Sequence, residues 1–246
     1  MSLVKLTSLS SSVTISDFGA WLTKFSIGKT DILTNGYEYE KDAKIKRRGG
    51  MPILFPNAGK QVASENLNLP QHGFARDMQW QVIDKNDNKL TLSLKDTTDT
   101  FALFPFHFIC NLIYLLNQST LSIILTVTNT GLTVMPIAPG FHPYFNLLKE
   151  KRTRFINPIK DFEFDGTTTY INSESPLQFE LPDIGNILLN YSDNLKNLSY
   201  WAQPDGDFIC IEPWVGAEGA ILQSSKAIHI KPEQAVEFRL NISIVL

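Results

Sequence analysis

Two ionisable residues sit in sequence contexts too stiff and too apolar for an ordinary surface position. His142, one of four histidines, lies within Pro139-Gly140-Phe141-His142-Pro143-Tyr144-Phe145. Each proline locks its own φ and biases the preceding residue toward extended backbone, so His142 is held in a definite direction. A satisfied, half-buried histidine in an aromatic corner fits this stretch equally well. Glu212 lies within Phe208-Ile209-Cys210-Ile211-Glu212-Pro213-Trp214. In a strand Phe208, Cys210 and Glu212 share one face, and Ile209 and Ile211 the other. Both faces are apolar, which marks a central, buried strand. Pro213 cannot donate to a ladder, so pairing should weaken just past Glu212 and leave it at a sheet end. Partial desolvation there raises a carboxyl pKa toward values useful for proton transfer. A rim acid paired with an arginine or with backbone amides is the alternative.

Two other segments, residues 46–60 and 70–80, mix Gly, Pro and charge with short apolar runs. In the first, Arg48 precedes Gly49-Gly50, where missing side chains let a ligand approach the backbone. Its planar guanidinium suits sugar hydroxyls or a phosphate; Arg47 and Arg48 also read as a basic loop following Lys44 and Lys46. In the second, His72 follows Pro70-Gln71 and precedes Gly73, which places it in a turn, with Arg76 four residues on. An ordinary loop histidine and a solvated arginine are the alternative there. His107 reads as part of a core-like aromatic strand, and His229, between Ile228 and Ile230, as a residue on a wet face.

No two histidines have metal-ligand spacing and the two cysteines are far apart, so no metal site is expected. P-loop, dinucleotide and nucleophile-elbow motifs are absent, and no cofactor is expected. What remains suits acid–base work on a polar small molecule, neutral or phosphorylated, with Phe and Trp faces available for sugar rings.

The elements that must position these residues are strands. Leu90, Leu92 and Leu94 alternate with polar residues, as do Leu121, Ile123, Leu125 and Val127. Val236, Phe238, Leu240, Ile242 and Ile244 repeat the pattern near the end. Period-two alternation with one wet face is the mark of antiparallel sheets. Turn signals such as Asp17-Phe18-Gly19, Asn129-Thr130-Gly131 and Pro204-Asp205-Gly206-Asp207 separate the runs. Almost no helix is expected, so the fold class is all-β, a large antiparallel β-sandwich or barrel. Without a linker, repeat or compositional shift, residues 1–246 are expected to form a single domain. The net charge of −3 gives no footprint for nucleic acid or an anionic membrane. No apolar run is long enough to span a bilayer, and the first residues lack the layout of a signal peptide. A cytoplasmic location is expected, with Cys110 and Cys210 as buried free thiols. Oligomeric state stays open.

Taken together, four segments resemble the aldose 1-epimerase (mutarotase) superfamily. They are Arg48-Gly49-Gly50-Met51-Pro52-Ile53-Leu54-Phe55-Pro56, His72-Gly73-Phe74-Ala75-Arg76, Phe141-His142-Pro143-Tyr144-Phe145 and Glu212-Pro213-Trp214. They follow the family's order over roughly residues 45–215. The resemblance implies a galactose mutarotase-like β-sandwich acting on a sugar without metal or cofactor. It implies that Glu212 takes the proton from the C1 hydroxyl, that His142 protonates the ring oxygen, and that the two exchange roles on closure. It further implies that His72 hydrogen-bonds the ring oxygen or a nearby hydroxyl and that Arg48 holds a hydroxyl or phosphate. The Arg-Gly-Gly and His-Gly-Phe-Ala-Arg segments, with Trp80, resemble the glucose-6-phosphate 1-epimerase branch. His-Pro and Glu-Pro-Trp-x-Gly, with Gly216, resemble the branch acting around bacterial lactose and galactose operons. A free hexose is the leading expectation and a hexose-6-phosphate the second, with Arg48, Arg76 and Lys60 as candidate phosphate cations. A non-catalytic carbohydrate-binding protein on the same fold is the third. The family's sugar-binding aspartate has no clear counterpart; Asp161 and Asp165 lie in the plausible region.

Overall fold

The computed structural model describes residues 2–41, 43–60, 62–155, 162–172 and 174–245; Asp161 lies outside them. Antiparallel strands dominate. A seven-stranded sheet runs in the spatial order Gln81–Lys85, Lys89–Lys95, Phe108–Asn117, Thr120–Asn129, Ala235–Val245, Gly185–Tyr191, Leu177–Leu181. Along it the alternation seen in sequence becomes burial: Leu121, Ile123, Leu125 and Val127 are inside, as are Phe238, Leu240 and Ile242. A four-stranded sheet built from Leu3–Ser8, Ser11–Ser16, Leu22–Ile27 and Thr30–Asp31 opens the chain. One apolar cluster joins Leu6 and Val13 of that sheet, Leu112 and Leu240 of the large sheet, and Ile209 and Ile211 of a third.

The third sheet carries the site. Its spatial order is Thr169–Asn172, Asn197–Trp201, Phe208–Trp214, Gly140–Phe141, Ile53–Leu54, with Tyr144–Asn146 also paired to Phe208–Trp214. The two apolar faces read from Phe208–Trp214 have separate destinations. Ile209 and Ile211 enter the main core, whereas Cys210 and Phe208 pack with Tyr144 and Trp201 on the opposite side. Trp214 forms a further small cluster there with Leu54, Ala58 and Tyr170.

Pairing does not stop after Glu212. The strand runs to Trp214, with Pro213 opposite Leu198 and Trp214 opposite both Asn197 and Gly140. Antiparallel ladders alternate hydrogen-bonded and non-hydrogen-bonded pairs, and a proline fits at a position whose N–H has no ladder partner. Gly140 is a glycine because Trp214 lies on it: a Cβ there would sit 2.4 Å from the indole Cδ1.

Helix is scarce, as expected. One short α-helix, Thr98–Leu103, starts at a capping box between Thr97 and Thr100. That box lacks the Glu or Gln usual at its third position, so the sequence carries little sign of it. Both cysteines are free and buried. His107 precedes its strand and is exposed, with Nδ1 2.7 Å from Asp96 Oδ2, and is not part of an aromatic core. Among the described residues no helix is long and apolar enough to cross a membrane.

Candidate active site

The register of the third sheet brings the glutamate and the histidine together. Gly140 pairs with Trp214 and Tyr144 pairs with Cys210. Counting inward from either pair puts His142 opposite Glu212, at the point where the ladder opens between Phe141 and Tyr144. Opposed residues on neighbouring strands have their Cβ atoms about 4.5–5.5 Å apart on the same face. His142 Nδ1 accordingly lies 3.3 Å from Glu212 Oε2. The backbone that leaves the ladder is caught elsewhere: His142 N donates to Pro52 O at 3.3 Å and Tyr144 N to Gly50 O at 2.9 Å. The imidazole stacks on the Tyr144 ring with centroids 4.6 Å apart and planes 3° from parallel.

Both members of the pair are buried, His142 at 4% exposure and Glu212 at 2%. Burial pushes the Glu212 carboxyl well above the usual carboxylate range. Burial pulls the His142 imidazole well below its ordinary value, and the neighbouring His72, Arg76 and Arg48 act in the same direction. Both shifts favour the uncharged form, which is a protonated carboxyl beside a neutral imidazole. Neither His142 Nδ1 nor Glu212 Oε2 completes a hydrogen bond among the described residues. Both atoms therefore have free hydrogen-bonding capacity for a ligand.

The pair opens into a cavity of about 280 Å³ whose walls include Arg48, His72, Arg76, Trp201 and Trp214. His72 is in the turn expected of it, with its backbone N–H donating to Gly59 O at 2.8 Å. Its φ is +64°, and Gly73 follows at +68° with no room for a side chain: a Cβ would lie 2.0 Å from Phe55 O. A non-glycine residue held in the left-handed region is a local strain of the kind found at binding sites. The ring of His72 meets His142 at 5.2 Å and Trp214 at 6.0 Å. Burial, then the Arg76 charge, pulls its pKa down to about 3, so it is neutral at physiological pH.

Arg48 ends the hairpin strand Lys44–Arg48 and is not in a loop. Its guanidinium donates to Gln203 Oε1 at 2.5 Å and to the Tyr39 hydroxyl at 3.2 Å, and its centre lies 5.9 Å from the Trp201 ring. Arg76 is the middle residue of the 3-10 turn Ala75–Asp77 and donates to Gln71 O at 3.2 Å. Trp80 is core rather than wall; its indole donates to Ala75 O at 3.0 Å and pins that turn. Lys60 is turned away from this use, with Nζ 3.1 Å from Glu218 Oε2 and most of its side chain exposed. Asp165 hydrogen-bonds Thr167 at the surface and is not a wall residue.

Sequence reasoning passed over Tyr39, Tyr170, Ser199, Gln203 and Glu218, which line or brace the cavity and belong to no motif. It also passed over one grouping: donor atoms of His142, Cys210 and Glu212 lie within 4.8 Å of one another. These residues could ligate a metal ion, yet the guanidinium groups of Arg48 and Arg76 line the same space and oppose a cation. A larger groove of about 980 Å³ passes Asp193, Lys196 and Lys226, but it has no histidine beside a buried carboxylate.

The chain thus combines an antiparallel sandwich with a buried His–Glu pair in an arginine- and tryptophan-walled cavity. The chain belongs to the aldose 1-epimerase family, which it matches over residues 2–184. That span includes Arg48, His72, Arg76 and His142; Glu212 lies beyond it. Protein LacX of Lactococcus lactis subsp. lactis is 29% identical over 254 aligned positions, covering 81% of this chain and 84% of its own. The Slr1438 protein of Synechocystis sp. PCC 6803 has the same fold with a TM-score of 0.84 and 26% identity, covering 98% of this chain and 95% of its own. A galactose mutarotase-like protein of Lactobacillus casei ATCC 334 shares the fold at a TM-score of 0.77 and 21% identity, covering 98% of this chain and 99% of its own.

Proposed function

We propose that the cavity interconverts the α and β anomers of a hexose by acid–base-catalysed opening and closing of the ring. The observation that carries this is the buried His142–Glu212 pair, with Nδ1 3.3 Å from Oε2 and burial favouring the uncharged form of each. Ring opening needs a proton delivered to the ring oxygen and another removed from the C1 hydroxyl. The C1–O5 bond breaks as the C1–O1 bond becomes a carbonyl, and no electron pair leaves the substrate. Rotation about C1–C2 presents the other carbonyl face, and the reverse transfers close the ring. Each residue gives once and takes once over a full cycle, so a pair that begins as a protonated carboxyl and a neutral imidazole is sufficient. The directions of the two shifts favour the carboxyl giving first and His142 taking first, the opposite of the order that the family resemblance implies. Groups placed in this way contribute roughly 10²–10⁴-fold each. His72, neutral and fixed by its turn, is a hydrogen-bond partner for the substrate and not a proton donor. The whole of residues 1–246 serves this one site in the proposal.

The test is polarimetry or NMR exchange on freshly dissolved α-glucose, α-galactose and glucose-6-phosphate. Acceleration of any of them supports an epimerase; acceleration of none, with saturable sugar binding, leaves a carbohydrate-binding protein. One observation favours the phosphorylated substrate as a second reading. Among the described residues Arg48 has no carboxylate partner and is held only by a neutral amide and a phenol, so its charge is free for an anionic substituent.

A further inference from the structure

Ser199 and Glu218 line the same cavity as the acid–base pair, and the mechanism leaves both without a task. Tyr170 stands opposite Ser199, and Ser199 opposite Glu212, in one row across three strands. Side chains in one such row share a face, so the row leads away from Glu212 on the side remote from His142. At its end the Tyr170 hydroxyl donates to Glu218 Oε1 at 2.8 Å, while Lys60 Nζ lies 3.1 Å from Oε2. A carboxylate offers about four acceptor sites, and these two contacts use half of them. The Ser199 hydroxyl, in a residue only 1% exposed, completes no hydrogen bond among the described residues. A buried hydroxyl left unmatched in a cavity wall calls for a ligand group.

We propose that Ser199 and Glu218 form a hydroxyl-binding strip in which Glu218 accepts a hydrogen bond from a ring hydroxyl of the sugar. This rests on the epimerase reading and deepens it by orienting the substrate. Ring contacts run from Arg48 through Trp201, His142, His72 and Trp214 to Tyr170, so Arg48 and Glu218 stand at opposite ends of the series. Hydroxyl-bearing carbons lie toward Glu218, and any phosphate lies toward Arg48, because a carboxylate repels it. A fixed acceptor favours the epimer whose hydroxyl points at it, which makes Glu218 a specificity-determining residue.

Anomer exchange is followed by NMR for the wild-type protein, Glu218→Ala, Glu218→Gln and Ser199→Ala. The substrates are a hexose that the wild type accelerates and its singly deoxygenated analogues. Both Glu218 variants should lose about 10- to 100-fold in kcat/KM, the range for a hydrogen bond to a charged group, through KM and with the pH profile of kcat unmoved. One deoxy analogue, poor for the wild type, should lose nothing further in Glu218→Ala. Equal additional losses for every analogue, or a fall in kcat at constant KM, overturn the proposal. If Glu218→Ala melts far below wild type, Glu218→Gln, which keeps the shape and one acceptor, decides by the same criteria. A wild type that accelerates no sugar overturns the epimerase reading itself, and this proposal with it.

Discussion

Replacing His72 by asparagine should change how stability depends on pH. In the folded protein burial and the Arg76 charge pull the His72 pKa down from 6.5 to about 3. The unfolded chain has no such environment and binds its proton near 6.5. Between these values the unfolded state holds more protons than the native one, so stability falls as pH falls. Each unit below 6.5 costs about 1.4 kcal/mol. At pH 4.5, two units down, His72 alone therefore costs about 3 kcal/mol, a large share of the roughly 5–15 kcal/mol of a typical domain. Above pH 6.5 it costs nothing. Asparagine is the replacement of choice because it tolerates the φ of +64° at this position better than most side chains. Urea unfolding of both proteins from pH 7.5 to 4.5 measures the effect, and the contribution of His142, common to both, cancels in the difference. The wild type should lose about 3 kcal/mol more than His72→Asn across that range. Parallel curves would mean that His72 is solvated or paired, and the argument for its neutrality would collapse.

Glu212→Gln and His142→Asn should each lower turnover by roughly 10²–10⁴-fold. Both should remain folded, and Glu212→Gln should gain stability over wild type as pH rises above the 4.5 of an unfolded carboxyl, where the unfolded chain gives up a proton that the buried native carboxyl holds. Near-wild-type turnover in either variant would remove it from the pair. Arg152 donates to the carbonyls of Gln203, Pro204 and Gly206, and Gln203 in turn accepts from Arg48. Arg152→Ala and Gln203→Ala should therefore both raise KM about tenfold through Arg48, with the double variant no worse than the poorer single one. Arg48→Ala should harm glucose-6-phosphate more than glucose if a phosphate lies at that end; equal losses would return Arg48 to hydroxyl binding.

Much of this was legible because burial leaves a period-two mark on a strand. The alternation in Thr120–Asn129 and Ala235–Val245 marks the inner face of the large sheet residue by residue. The prolines around His142 were legible too, as a stiff segment, but their structural purpose was not. Pro143 lacks the N–H that would continue the ladder, and so His142 stands at a gap opposite Glu212. Which residue faces which is a matter of register, and register depends on pairing between segments far apart in sequence. Pro213 misled for the related reason that whether a strand N–H is needed depends on its neighbours. Ser199, Tyr170 and Glu218 were invisible as a group because they lie on three separate segments and carry no spacing signal.

The register also explains why the pair resides in a sheet. A cross-strand pair is fixed by main-chain hydrogen bonds on both flanks, here Gly140 with Trp214 and Tyr144 with Cys210. No loop has to order when substrate arrives, so the near-contact of His142 and Glu212 costs little conformational entropy at the moment of reaction. The same strand places Ile209 and Ile211 in the main core, and sliding it by one residue would put them in the cavity and Glu212 in the core. Burial of those two isoleucines, at roughly 1.5–3 kcal/mol each, thus stabilises the one register that sets the carboxyl opposite the imidazole. Desolvation follows from the same placement. Burial holds the Glu212 carboxyl above the usual carboxylate range and the His142 imidazole below its own, so a group disposed to give a proton stands 3.3 Å from one disposed to take it.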